Sequence, residues 1–175
     1  QLEKGSAKKH ISSPYKGYGI GLDPRYLTKG LKDTEGAQQT EEFKSFVNEN
    51  KDWIEDYSLF CALRDNFGTD DWRRWSPDIK KYTNDAVKSW SAKLAKKINE
   101  YKIEQFLLCS QFKLLKEKAK KNNISLIGDI PYYISVNSPL IWANQELFIL
   151  GKQGELTTVS GVLWGHFDRQ IWGHP

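Results

Sequence analysis

Ile124-Ser125-Leu126-Ile127-Gly128-Asp129-Ile130-Pro131-Tyr132-Tyr133-Ile134 is the stretch on which the fold turns. It is apolar almost throughout, interrupted only by Ser125, Gly128, Asp129 and Pro131, and it follows a long helical pattern. Such a run after a helix predicts a buried parallel strand, because a strand covered on both faces loses the polar alternation of a half-exposed one. Ligands gather at the C-terminal ends of parallel strands, so Asp129 near the end of this run is a candidate binding residue. A carboxylate there can accept hydrogen bonds from two neighbouring hydroxyls, Gly128 permits close approach, and Pro131 stiffens the exit. An Asp at a strand end also caps turns. The residues alone leave both readings open.

Working upstream, Asn122-Asn123 punctuates the chain before the strand. From Asn84-Asp85, a capping pair, apolar residues recur at Val87, Trp90, Leu94, Ile98 and Tyr101, and continue at Phe106, Leu107, Phe112, Leu114 and Leu115 after an adjustment. Lys93, Lys96, Lys97, Lys113, Lys116 and Lys120 take much of the other side, the arrangement of an amphipathic core helix or helix pair with Trp90 in the core. Earlier still, Thr40 followed by Glu41 and Glu42 reads as a helix start. Phe43, Phe46, Val47, Trp53, Ile54, Tyr57, Phe60 and Cys61 keep helical spacing to Phe67-Gly68, with a break expected between Asn48 and Asp52. Asp70 to Pro77 reads as a connecting loop. The first forty residues hold Gly5, Pro14, Gly17, Gly19, Gly21, Pro24, Gly30 and Gly36 and are expected to be loop. Downstream, a short helix is expected around Pro139 to Phe148, then a turn from Gly151 to Gly154, then an aromatic, Gly-rich tail.

Composition bounds the function. At 39% hydrophobic and 27% charged residues the chain is an ordinary globular protein, so disorder is excluded as its general state. Its net charge of +4 is spread over helix faces, which argues against a nucleic-acid partner. No apolar run approaches the ~20 residues of a membrane span, and no charged-then-apolar leader opens the sequence, so a cytoplasmic location is expected. The two cysteines, Cys61 and Cys109, lack metal or redox spacing and are expected to be buried free thiols. The sequence has no Met, not even an initiator, which leaves processing, truncation or omitted residues open. Seven Trp are many for this length; aromatic faces suit sugar clefts, while the core is the expected place for most of them.

Other constellations carry less. Asp129 could pair with Glu146 or Asp168 as the two carboxylates of a glycosidase, which stand roughly 5–9.5 Å apart, but spacing in sequence does not fix that distance. Glu146 is expected on a helix surface and Asp168 in a loop. His10, His166 and His174 share no metal-ligand spacing, so no metal is expected. Trp72-Arg73-Arg74-Trp75 mixes stacking faces with cations in a way that suits single-stranded nucleic acid, yet loop packing is the expected role.

Taken together the residues resemble a known family. Leu126 to Ile134, then Asn137-Ser138, Trp142-Ala143-Asn144, Leu147-Phe148, Gly154 and Val159-Ser160-Gly161-Val162, are similar to the signature block of the amylomaltases, or disproportionating enzymes, a family of 4-α-glucanotransferases. Ile171-Trp172-Gly173-His174-Pro175 resembles the W-G-N-P end of that block. Trp53 to Phe60 resembles the family's W-L-x-D-Y-A-L-F helix, and Phe106 to Lys116 its Gln-containing aromatic helix. Ser13-Pro14-Tyr15 with Asp23-Pro24-Arg25-Tyr26 resembles its S-P-Y…N-P-x-Y loop.

The resemblance implies an α/β fold: part of a (β/α)8 TIM barrel with helical insertions, incomplete here because a whole barrel takes about 250 residues. It divides the chain into a loop-rich segment 1–39, a helical insertion 40–121, and a barrel strand with active-site loop at 122–175. It implies transfer of α-1,4-glucan segments between maltooligosaccharides by a retaining double displacement, with no cofactor. The family's nucleophile and acid/base lie beyond the block that ends this chain, so no catalytic residue is expected within it. The implied sugar contacts are Tyr15 as a platform at the cleavage site, Ser13 beside it, Asp129 as hydroxyl acceptor and Trp172 as a wall. The oligomeric state is not fixed.

This sequence departs from the family pattern in several places. The family shows Asp-Ser where Asn137-Ser138 stands, a P-P-D-Y-F-S-x-x-G-Q loop where Leu163 to Gln170 stands, and Asn at His174. The interval between Tyr26 and Trp53 is shorter than the family's, and the strand before S-P-Y is missing. These departures keep a second reading in view: a glucan-binding or interaction module that kept the fold and lost the chemistry.

Overall fold

A computed structural model of the chain describes residues 38–128 and 134–158, together with the backbone of 161–162 and 170–171. The described elements are helices α1 (Glu41–Glu49) and α2 (Lys51–Phe67), a 3-10 turn (Trp72–Arg74), and helices α3 (Pro77–Lys80), α4 (Asn84–Lys93), α5 (Ala95–Lys121) and α6 (Pro139–Ala143). A second 3-10 turn (Gln145–Leu147) and the short strands β1 (Gly161–Val162) and β2 (Gln170–Ile171) follow.

Local chemistry sets the helix ends. Thr40 caps α1, its Oγ1 accepting from Phe43 N at 3.2 Å, and Glu41 and Glu42 lie in the first turn, where the helix dipole favours negative charge. The break inside Asn48 to Asp52 falls at Asn50, which closes α1 and opens α2. Gly68 stops α2 in the left-handed conformation at φ 67°, which costs glycine nothing. Thr83, one residue ahead of the expected Asn84-Asp85 pair, caps α4 through Ala86 N. The adjustment in the long helical pattern is at Leu94, between α4 and α5.

The core forms where α2 meets the 3-10 turn, α3 and α6. Phe60, Leu63, Trp72, Ile79, Ile141 and Trp142 are fully buried, and Trp75 nearly so. The Trp142 ring meets Trp75 at 5.4 Å, Phe60 at 5.7 Å and Tyr82 at 4.8 Å, all edge to face. Burying each such side chain contributes about 1.5–3 kcal/mol, and edge-to-face aromatic pairs add to that. Each core indole also satisfies its N–H: Trp72 donates to Val136 O at 2.8 Å, Trp75 to Thr69 O at 3.0 Å and Trp142 to Ile79 O at 3.0 Å. α5 lies along α2, where Gln105 Nε2 donates to the buried Tyr57 hydroxyl at 3.0 Å, and along α1, where Phe106 meets Phe43 and Phe46.

Three expectations are corrected. First, residues 124–128 form no strand, and Ile124, Leu126 and Ile127 are 58%, 51% and 96% exposed. A buried parallel strand exists only where neighbours take its backbone hydrogen bonds, and no described strand lies beside this run; Ile124 N donates back to Ala119 O of α5 at 2.9 Å. The described chain is therefore helical, with a single two-stranded antiparallel pair, Gly161 opposite Ile171 and Val162 opposite Gln170, and it displays no barrel. Second, Leu114 and Leu115, expected on the core face, are exposed. Third, Trp90 is half-buried: it leans on Phe67 at 5.3 Å and donates its Nε1 to the exposed Asp78 at 2.8 Å.

Candidate functional site

The expected sugar contacts Ser13, Tyr15, Asp129 and Trp172 lie outside the described residues, as do His10, His166, Asp168 and His174. The structure does describe the chain on either side of Asp129. On the approach, Gly128 has no described atom within 4 Å of where a Cβ would sit, so its described surroundings leave room for a side chain.

Beyond Tyr133 the chain is held firmly. The buried Trp72 indole fixes the Val136 carbonyl. Asn137 stands between opposite charges: its Nδ2 donates to Asp70 Oδ1 at 3.4 Å, and its Oδ1 accepts from Arg73 Nη2 at 3.5 Å. Arg73 is itself oriented by Asp71, Nε to Oδ1 at 2.6 Å. An amide can donate to one neighbour and accept from the other, which an ionised carboxylate cannot, so Asn suits this place better than the Asp that the resembled family carries there. Ser138, buried, caps α6 by accepting from Ile141 N at 3.3 Å. Gln145 then ties the second 3-10 turn to α3, its Nε2 donating to Lys80 O at 2.8 Å and to Trp142 O at 3.0 Å. The Gly151 to Gly154 turn closes with Gly154 N donating to Gly151 O at 2.9 Å.

The remaining sequence candidates resolve simply. Trp72 and Trp75 are core residues, so Trp72-Arg73-Arg74-Trp75 presents no stacking platform. Glu146 is exposed, as its surface reading expected. No group of three potential metal ligands occurs among the described residues, and no described helix is long and apolar enough to cross a membrane. Cys61 is fully buried, and that burial pushes its thiol up to about 12. Cys109 is only half-buried, against the expectation of burial, and its thiol is also raised by burial.

Sequence reasoning missed a cleft of about 340 Å³ between α2, α4 and α5, lined by Glu55, Asp56, Leu59, Tyr82 and residues of the two later helices. Its lining comes from separate elements, so no local spacing announces it. The one conformational clue, a positive φ of 50° at Tyr82, has no signature in that residue's type.

The helical packing just described is similar to part of an amylomaltase from Streptococcus agalactiae, solved in complex with acarbose. The TM-score is 0.73 at 30% identity, over 79% of this chain and 28% of that one. A family model described as 4-alpha-glucanotransferase matches residues 24–175. The 4-alpha-glucanotransferase of Clostridium butyricum is 38% identical over 142 residues, which is 79% of this chain and 29% of that protein. The Thermus thermophilus 4-alpha-glucanotransferase is 32% identical over 149 residues, 84% of this chain and 30% of that protein. The chain belongs to the 4-alpha-glucanotransferase family. It spans less than a third of the length of these relatives.

Proposed function

We propose that this chain is part of a 4-α-glucanotransferase that moves α-1,4-glucan segments between maltooligosaccharides by a retaining double displacement, with catalytic carboxylates outside the chain. The observation that carries this reading is the single colinear family match across residues 24–175, which takes in the Gly128-Asp129-Ile130-Pro131 segment. In this reading residues 1–39 hold the S-P-Y sugar loop, 40–121 form a helical insertion, and 122–175 supply a strand and active-site loop of a (β/α)8 barrel. The exposed run Ile124, Leu126 and Ile127 supports it, because apolar residues in that pattern need neighbouring strands to cover them. The parent is proposed to work in the cytoplasm, and this chain alone to be inactive.

Asp129 accepts sugar hydroxyls on the donor side, with Ser13, Tyr15 and Trp172 as the other contacts. A carboxylate hydrogen-bonded to a ligand contributes about 1.5–3 kcal/mol, so Asp129→Ala in the full-length protein is expected to lower turnover roughly 10- to 100-fold. The melting temperature should stay unchanged. Unaltered turnover would strike Asp129 from the site.

A further inference from the structure

We propose that the cleft between α2, α4 and α5 is a separate sugar-binding site, sized for one or two pyranose rings. At about 340 Å³ it falls within the range of small-ligand pockets. Leu59, Val87, Ala95 and Ile98 line its apolar part, while Glu55, Asp56, Tyr82, Ser91, Asn99 and Lys102 supply the polar groups.

The polar groups divide into fixed and available. Lys102 Nζ is bound by both Glu55 carboxylate oxygens at 2.6 Å, and the Tyr82 hydroxyl donates to Asp56 Oδ1. Tyr82 is held in place from behind by the Trp142 ring and adopts a positive φ of 50°, a conformation unusual for a bulky residue and kept only where its surroundings enforce it. The side chains of Ser91 and Asn99, by contrast, have no hydrogen-bond partner among the described residues, and Asp56 Oδ2 has none either. The site thus offers a carboxylate acceptor, an amide and a hydroxyl that both donate and accept, and an aliphatic floor.

That set selects a class of ligand. An anion meets Glu55 and Asp56, with Lys102, the only cation among the described lining residues, already paired. A metal ion finds no group of three ligands among the described residues. A neutral polyhydroxyl ring fits, its hydroxyls shared among Asp56, Ser91 and Asn99 and its C–H face against Leu59, Val87 and Ile98. Only the choice of an α-1,4-linked probe rests on the proposed function; the sugar class rests on the cleft.

The test is a titration of the 175-residue chain with maltose, followed by backbone amide NMR. Saturable shifts at Ser91 and Asn99 are expected, with affinity falling about tenfold in the Ser91→Ala, Asn99→Ala double variant, the loss of one or two hydrogen bonds. The proposal is overturned by absence of saturable binding, by undiminished binding in the double variant, or by choline binding where maltose does not. Saturable shifts that spare Ser91 and Asn99 would also overturn it, while leaving the proposed glucan cleft standing.

Discussion

Gly154 lies so close to Trp72 that a Cβ on the glycine would come within 2.4 Å of the indole Cη2. The same indole, fully buried, donates to the Val136 carbonyl, so the Gly151 to Gly154 turn and the described chain following residue 133 both rest on one rigid ring. The helical layer thereby sets where the candidate sugar-binding segment exits.

Gly154→Ala must push that ring or its own backbone aside, and φ 82° is a strained conformation for alanine. A loss of about 2 kcal/mol is expected. Gly128→Ala, with no described atom within 4 Å, is the matched control and should cost much less. Urea denaturation of both variants checks the contrast, and equal losses would contradict it.

Trp142→Ala and Trp90→Ala should separate core from surface. Trp142 is fully buried in an aromatic cluster, and its removal should cost about 3–5 kcal/mol. Trp90 is half-buried on Phe67, with Lys93 Nζ 4.1 Å from its ring centroid and an exposed hydrogen bond to Asp78, and should cost about 1–2 kcal/mol. Comparable losses on chemical denaturation would place Trp90 in the core after all.

The two thiols should respond differently to reagents and to alkali. With iodoacetamide at pH 8, Cys109 should react first and Cys61 only once the chain unfolds, because the thiolate is the nucleophile and Cys61 is sealed in. Cys61 ionises near 9.0 when unfolded and at about 12 when folded, so its contribution is complete below pH 9 and lost between 9 and about 12. By pH 10.5 this loss is on the order of 2 kcal/mol. Tyr82 and Tyr101, raised by burial, and Lys97, raised by its bond to Glu100, act with the same sign. Unfolding free energies at pH 8 and 10.5 test this; a rise in stability would contradict it.

The helical part of this fold was legible because its signals are local. Thr40, Asn50, Gly68 and Asn122 mark helix ends through side-chain caps or backbone conformations that depend on a few adjacent residues. The strand expected from Ile124 is absent over residues 124–128, because the apolar pattern of Ile124 to Leu126 states a need for cover without containing the partner that meets it. Trp90 and Trp142 look alike in sequence, and only the helices converging on Trp142 give it the deeper position. The candidate contacts Ser13, Tyr15 and Trp172 came from colinear motifs rather than from spacing, since a sugar cleft assembles distant segments, whereas Asp129 also stood out by its place near the end of the apolar run. The α2–α4–α5 cleft, built from a few residues on each of three helices together with Tyr82, left no motif at all.

The central claim is that this chain belongs to a working transferase of α-1,4-glucan segments. Incubation of the full-length protein with maltotriose, followed by chromatography of the products, tests it most directly. The account predicts glucose together with maltooligosaccharides longer than maltotriose; glucose and maltose from hydrolysis alone, with no longer product, would contradict it.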